Sequence, residues 1–177
     1  MGGKVYDRNK IVADLLARTS AYVNRLTWPQ EELKQERERL LRELVRTAKE
    51  KSAWHRERLQ GVNPDTLREE DLPHAVPVMT KADLMENWDE IVTDERLSLD
   101  LAERHLEDHA KELSFLLDEF VVTSSGGSSG QRGVFVWDLR TLAEAPFRSS
   151  YRFMKRYASL TGMTLPDTQI VAYVGGS

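Results

Sequence analysis

Apolar residues recur at intervals of three to four through the first third of the chain, which predicts two consecutive amphipathic helices. The first helix should cover residues 8–27 and end at Trp28-Pro29, because the residue before a proline is pushed out of the helical region. The second helix should run from about Gln30 to Gln60. The apolar stripe of the first helix is Ile11, Val12, Leu15, Leu16, Tyr22, Val23 and Leu26, and the buried face of the second is Leu33, Leu40, Leu41, Leu44, Val45, Ala48 and Trp54.

The second helix also carries many charged residues, which are typical of a solvated face. Glu38 precedes Arg42 by four residues, a spacing at which opposite charges attract each other on a helix surface. A coiled coil is an alternative, but the heptad pattern breaks at Arg37 and Thr47 and so favours a globular packing face.

Residues 62–117 combine short elements with turns. The prolines in Leu72-Pro73 and Val76-Pro77-Val78 predict extended backbone at both places. Thr80 followed by Asp83 is similar to a capping box and predicts a helix over 81–88. A further helix is expected over 98–117.

The pattern then changes to strands around a cluster of glycine and serine. Two apolar runs flank the cluster and predict adjacent strands over 119–123 and 133–137, joined by a loop over 124–132. A helix over about 140–160 should follow, starting or bending near Pro146. The predicted fold class is α/β, with a mainly helical segment over 1–118 and the beginning of an α/β nucleotide-binding domain over 119–177.

The last segment, 169–174, is almost continuously apolar, as are strands that are covered on both faces of a parallel sheet. Gly175-Gly176-Ser177 follows it at the point where a crossover helix normally begins. We therefore expect the chain to be the N-terminal part of a larger protein. A terminal edge strand with a short tail is the alternative.

Composition narrows the classes of function. The 177 residues include no cysteine, which excludes disulfide scaffolds, thiolate nucleophiles and zinc fingers. No apolar run approaches the roughly 20 residues of a membrane span, and the N-terminus lacks an apolar signal core. We therefore expect a cytoplasmic protein without a membrane partner. The net charge of −4 argues against a general nucleic-acid binder.

His105 and His109 are four apart, but without a third histidine they do not predict a metal site.

The loop over 124–132, called here the glycine–serine loop, has a composition that suits phosphate. Its glycines allow a ligand to approach the backbone closely, and inward amides can form an anion nest. Serine hydroxyls add donors, and Arg132 adds a cationic fork. A Walker A loop would need a lysine, and the spacing G-G-x-x-G-x-x-G before a strand is not the dinucleotide fingerprint. A flexible Gly/Ser hairpin is the alternative.

The segment Thr123–Gly133 resembles the phosphate-binding loop of the adenylate-forming enzymes, the superfamily of acyl-CoA synthetases, adenylation domains and luciferases. Lys49–Leu59 is similar to the "S-P-F-Y-R-E-R-L" helix end of the phenylacetate–CoA ligase branch. Leu72–Leu84 is similar to the "L-P-x-T-T-K-x-D-L" segment of the same branch. The order and spacing of the three segments favour that branch.

The resemblance implies ATP-dependent activation of a small-molecule carboxylic acid. A carboxylate oxygen attacks the α-phosphate of ATP, pyrophosphate leaves, and the acyl-adenylate passes to coenzyme A or another thiol. ATP and Mg²⁺ would be bound, with the loop holding the β- and γ-phosphates. The phosphate contacts would be Ser124, Ser125, Gly126, Gly127, Ser128, Ser129, Gly130 and Arg132.

The chain also departs from the family pattern. The loop has one additional small residue, and Gln131-Arg132 stands where the family has x-Pro-Lys. The later motifs for adenine, ribose, magnesium and the reacting carboxylate are absent, so these 177 residues alone should not form acyl-adenylates, and a missing C-terminal part or a partner chain is needed. Two alternatives remain: a non-catalytic helical interaction module, and a remnant that binds nucleotide without turnover.

Overall fold

The computed structural model describes residues 8–108, 114–126 and 132–165, and these are mostly helical with one small antiparallel sheet. The first seven helices are α1 Arg8–Asn24, α2 Gln30–Lys51, α3 Ala53–Arg58, α4 Leu72–Ala75, α5 Lys81–Glu86, α6 Trp88–Ile91 and α7 Leu99–Asp108. Short 3₁₀ helices cover Arg25–Thr27 and Glu69–Asp71. Strands β1, Phe120–Ser124, and β2, Val134–Asp138, form the sheet. Then follow α8, Leu139–Pro146, a π-helix, Phe147–Tyr151, and α9, Arg152–Thr161. This combination of many helices with one small sheet in the described residues is compatible with the predicted α/β class.

The described residues divide into two compact units. The first unit contains residues 8–27, 117–121 and 137–165. The second contains residues 28–108, 114–116, 122–126 and 132–136. The predicted division into 1–118 and 119–177 stays a prediction, as does the strand over 169–174, which lies outside the described residues.

In the first unit, α1 packs against α8, the π-helix and α9. Leu15 and Tyr22 of α1 are buried, which confirms them as part of the predicted apolar stripe. The Tyr22 hydroxyl donates to the buried carboxylate of Glu144, and Arg148 Nε donates to the same oxygen at 3.0 Å. Leu16 differs from the prediction, because half of its surface is exposed. The change from α8 to the π-helix after Pro146 lies where the sequence predicted an irregularity.

In the second unit, a hydrophobic core forms where α2 and α3 meet the segment that follows them. Val45, Leu59, Val62 and Leu67 are its buried members, and Leu41 and Ala48 pack against it. The predicted buried face of α2 is therefore wrong at Leu40 and Leu44, and Leu44 is 66% exposed. Only the row of Leu41, Val45 and Ala48 faces the core. The predicted pair of Glu38 and Arg42 is confirmed at 3.3 Å.

The predicted single helix over 30–60 is interrupted at Ser52. This residue is fully buried and extended, and its hydroxyl accepts the N–H of His55 at 3.2 Å as the N-cap of α3. The same hydroxyl donates to the carbonyl of Glu90 at 2.8 Å. Serine competes for backbone groups in this way and thereby favours helix ends over helix interiors.

Two other predictions need correction. Leu72 is helical, with φ −49° and ψ −47°, although Pro73 follows it. A proline is accepted in the first turn of a helix because no intrahelical partner is needed there for its N–H. The helix predicted over 98–117 does not reach its expected end, since Leu117 lies in a turn with φ 54°. Among the described residues, no helix is both long enough and apolar enough to cross a membrane.

Candidate functional site

The stem of the glycine–serine loop is a pair of antiparallel strands. The prediction of adjacent strands on either side of the loop is confirmed, with each strand beginning one residue later than expected. Beyond the last residues of the ladder, the N–H of Ser125 donates to the carbonyl of Gly133 at 2.9 Å. Ser125 and Gly133 therefore close the base of the loop.

The hydroxyl of Ser125 lies at the centre of this base. It accepts the N–H of Gly133 at 2.8 Å, and Lys81 Nζ at the start of α5 lies 3.5 Å from it. A Cβ at Gly133 would lie 3.1 Å from the Phe135 ring and 3.4 Å from the Ser125 hydroxyl oxygen. Glycine at this position therefore leaves room for the Phe135 ring, which a Cβ would crowd, whereas a Cβ would only touch the serine oxygen at ordinary contact distance.

The first residue of β2 is attached to two helices. The N–H of Val134 points at the thioether sulfur of Met85 at 3.4 Å, and its carbonyl accepts from Trp88 Nε1 at 3.0 Å. Both Val134 and Trp88 are buried. Side chains of α5 and α6 thus hold a backbone segment next to the loop and restrict its movement.

The beginning of α5 is set by a capping box, as the sequence predicted. The Thr80 hydroxyl accepts the N–H of Asp83 at 3.1 Å, and the Thr80 N–H donates to the Asp83 carboxylate at 2.8 Å. Hydrogen bonds from the Thr80 backbone and side chain lower the pKa of Asp83 below its usual value. The cap makes Lys81 the first residue of α5 and so fixes where its side chain starts.

The structure describes four of the eight residues predicted to contact phosphate. Ser125 is half-buried at the loop base, while Ser124, Gly126 and Arg132 are exposed around it. Gly127, Ser128, Ser129 and Gly130 lie outside the described residues. The space around Gly126 is open, with no atom within 4 Å of an added Cβ.

Sequence reasoning did not predict three residues of this site: Lys81, Met85 and Trp88. The segment that contains Lys81 was recognised only as part of a family resemblance, and the capping box indicated only where its helix begins. No spacing rule connects Lys81 with Ser125, because the two residues are 44 positions apart.

Lys81 brings a positive charge to the described loop base. Its Nζ lies 3.5 Å from the Ser125 hydroxyl, and Arg132, the residue before Gly133, is exposed. Within residues 8–108, 114–126 and 132–165, no three His, Asp or Glu side chains are grouped so that they could hold a metal ion. His105 Nε2 lies 3.1 Å from the hydroxyl of Ser114, and His109 lies outside the described residues.

No family model matches the chain, and no curated protein or solved structure matches it.

Proposed function

We propose that this chain supplies the phosphate-binding loop of an ATP-dependent ligase that activates carboxylic acids. One observation carries the proposal: the Ser125 hydroxyl at the base of a glycine–serine hairpin accepts the Gly133 N–H at 2.8 Å and has Lys81 Nζ 3.5 Å away. This combination places a cation and a hydroxyl together at the base of the glycine–serine loop. Polyphosphates are bound by groups of this kind.

The donors at the loop base suit a polyphosphate in number and type. Because the Ser125 oxygen accepts from Gly133, the hydroxyl proton is left to donate to a phosphate oxygen. Lys81 adds a compact point charge, and the exposed Arg132 adds a planar fork that can bind two phosphate oxygens. The attachment of Val134 to α5 and α6 limits the entropy that ligand binding would cost.

In the proposed reaction, ATP supplies an electrophilic α-phosphorus and pyrophosphate as the leaving group. A bond forms between a carboxylate oxygen and the α-phosphorus, and the bond to the departing pyrophosphate breaks, giving an acyl-adenylate. Ser125, Lys81 and Arg132 stabilise the negative charge that grows on the pyrophosphate. Coenzyme A is the proposed thiol acceptor. Mg²⁺ would be held mainly by the phosphates, which matches its preference for one or two protein carboxylates at most.

Binding to the phosphates is tested by titrating the protein with ATP·Mg, pyrophosphate·Mg and AMP while following tryptophan fluorescence. ATP and pyrophosphate should bind saturably and compete with each other for one site. AMP should bind at least about tenfold more weakly than ATP, because it lacks the β- and γ-phosphates and their charged hydrogen bonds. Lys81→Gln should weaken ATP binding by about threefold to tenfold, given the usual contribution of a charged hydrogen bond at a partly exposed site.

Lys34→Gln is the matched control, because Lys34, like Lys81, is a half-buried lysine of the same unit, and it pairs with Glu70 at 3.2 Å. It should leave the affinity for ATP unchanged. Equal affinity for AMP and ATP, or equal weakening by the two lysine substitutions, would contradict the proposal.

Acid activation is tested by carboxylate-dependent ATP–pyrophosphate exchange over a panel of aryl and fatty acids. The assay combines this chain with the part or partner chain that would supply the adenine-, ribose- and carboxylate-binding groups. Exchange that needs both the acid and Lys81 supports the ligase. Saturable ATP binding without acid-dependent exchange supports a nucleotide-binding remnant instead.

A helical interaction module is a second candidate function. The exposure of Leu40 and Leu44 on α2 favours it, because two leucines one turn apart form an apolar contact surface among charged residues. This candidate predicts a protein without affinity for ATP or pyrophosphate. Leu44→Ser would then abolish partner binding and leave the fold intact.

A further inference from the structure

We propose that the first unit contains a separate binding site for a small organic carboxylate with an apolar body. The site is a cleft of about 360 Å³ between α1 and the helical segment that begins in the π-helix. Its described lining is Leu16, Thr19, Ser20, Val23, Asn24, Tyr151 and Lys155. The volume lies within the usual range for small-molecule sites. This proposal does not depend on the phosphate-loop function, because every lining residue belongs to the first unit.

The two walls differ in chemistry. Leu16 and Val23 give the α1 wall an apolar part, and Ser20 and Asn24 add a hydroxyl and an amide that can donate hydrogen bonds. On the opposite wall, Lys155 Nζ lies 5.6 Å from the centroid of the Tyr151 ring. A carboxylate therefore finds one cation and neutral donors, and its apolar body finds leucine, valine and an aromatic face.

The half-exposed Leu16 fits this interpretation. It is a large apolar side chain of the predicted helix stripe, yet half of its surface is accessible and it lines the cleft. An apolar ligand in the cleft would cover part of that surface. The free energy of burying apolar surface then adds to the electrostatic attraction of Lys155.

The π-helix shapes the second wall. Segments of this kind are rare and often occur at functional sites, because their wider turn rotates the side chains that follow. Here the π-helix ends at Tyr151, and Lys155 follows four residues later on α9. The Glu144 carboxylate accepts a buried hydrogen bond from Tyr22 of α1 and a partly buried one from Arg148 of the π-helix, so Glu144 links the two walls.

A monoanion suits the charge of the cleft better than a phosphate ester does. Lys155 is the cation among the described lining residues, and no described lining residue is acidic. Two acidic side chains near the cleft are neutralised by neighbouring arginines: Asp14 pairs with Arg18 at 2.9 Å and Glu144 with Arg148 at 3.0 Å. One cation with neutral donors balances one carboxylate, whereas phosphate sites typically combine arginine with several backbone amides.

The test uses the full 177-residue chain, with benzoate and hexanoate as probes and benzyl alcohol and hexanol as neutral controls of similar size. Isothermal titration calorimetry and ligand-observed NMR should show saturable binding of both carboxylates at one site. The alcohols should bind at least about threefold more weakly, since they lack the charge that pairs with Lys155. Failure of both carboxylates to saturate up to about 10 mM would overturn the proposal.

Variants identify the cleft. Lys155→Gln should weaken carboxylate binding by about threefold to tenfold, while Arg156→Gln, which removes the neighbouring charge on α9 outside the cleft lining, should leave it unchanged. Ser20→Leu should abolish binding by filling the space, with circular dichroism confirming its helix content. Equal weakening by the two α9 variants would overturn the site, whether or not Ser20→Leu folds.

Addition of ATP·Mg separates this site from the proposed ligase reaction. Carboxylate affinity should be the same with and without nucleotide, and Lys81→Gln should not change it. A carboxylate that binds only in the presence of ATP·Mg would overturn the separate site and support the ligase. If the loop binds no nucleotide, the carboxylate titration still decides the present proposal alone.

Discussion

Trp88 Nε1 donates a hydrogen bond of 3.0 Å to the carbonyl oxygen of Val134, a residue 46 positions later in the chain. Trp88 is 3% exposed and Val134 is 1% exposed, so the bond is shielded from water. It connects α6 directly to the first residue of β2, where the glycine–serine loop ends. The position of the loop stem is thus coupled to the packing of the helices that precede it.

Trp88→Phe should reduce the free energy of unfolding by about 1–3 kcal/mol. Phenylalanine retains most of the apolar contact but leaves the buried carbonyl of Val134 without its donor, and an unsatisfied buried group costs about that much. Urea unfolding followed by circular dichroism measures the change. Trp54→Phe is the control, because Trp54 is only half-buried beside His55 and Arg58. A loss at Trp54 as large as that at Trp88 would show that ring size rather than the hydrogen bond matters.

Thr80→Ala should destabilise the protein by about 0.5–2 kcal/mol and also weaken ATP binding. The substitution removes an N-cap of α5, and the following residue is Lys81 at the loop base. Asp138→Ala removes the acceptor for the Thr141 N–H, which is 2.9 Å away at the start of α8, and serves as a control of similar kind. Both variants should lower the urea midpoint, but only Thr80→Ala should change the dissociation constant for ATP. Unchanged ATP affinity in Thr80→Ala would show that the cap of α5 does not position Lys81 for ATP binding.

Glu144 should make stability dependent on pH in the acidic range. Burial raises the pKa of Glu144, but hydrogen bonds from Tyr22 and Arg148, with the positive charges of Arg148 and Arg18, outweigh burial and lower it. Since the pKa is lower in the folded state, the stabilisation is complete above the ordinary glutamate pKa of about 4.3 and is lost as the pH falls through the folded value.

The measurement compares wild type with Glu144→Gln by urea unfolding between pH 7 and pH 3. Wild type should be the more stable protein near neutral pH, and the difference should shrink steadily below about pH 4.3. Tyr22→Phe should reduce the difference, because it removes one of the hydrogen bonds to the carboxylate. A difference that stays constant over this range would exclude Glu144 as the source.

Val45→Ala should cost about 1.5–3 kcal/mol, whereas Leu44→Ala should change stability by no more than about 0.5 kcal/mol. Val45 is buried against Leu59, Val62 and Leu67, so truncation loses apolar burial and leaves a cavity. Leu44 is the neighbouring residue but faces solvent. Thermal and urea unfolding measure both variants. Equal costs would contradict the assignment of the buried face of α2.

Local signals were sufficient wherever an element depends on residues a few positions apart. Helix α1, the capping box of Thr80 and Asp83 and the strands beside the glycine–serine loop are each specified by nearby residues, and the structure confirms these three elements. The apolar stripe of α1 is confirmed at Leu15 and Tyr22 but not at Leu16. All four phosphate-site candidates that the structure describes, Ser124, Ser125, Gly126 and Arg132, were identified from residue chemistry and the family resemblance. Their role in binding phosphate stays a prediction.

The tertiary structure decided the features that depend on distant partners. The sequence pattern of α2 continues through Ser52, but the helix ends there, where the Ser52 hydroxyl meets the carbonyl of Glu90, 38 residues away. Leu40, Leu44 and Leu41 have the same hydrophobicity, and only the core formed by later residues selects Leu41. Lys81 joins Ser125 for the same reason. Local periodicity determines which face of an element can be buried, whereas the partner that buries it is chosen by packing between segments that no spacing rule connects.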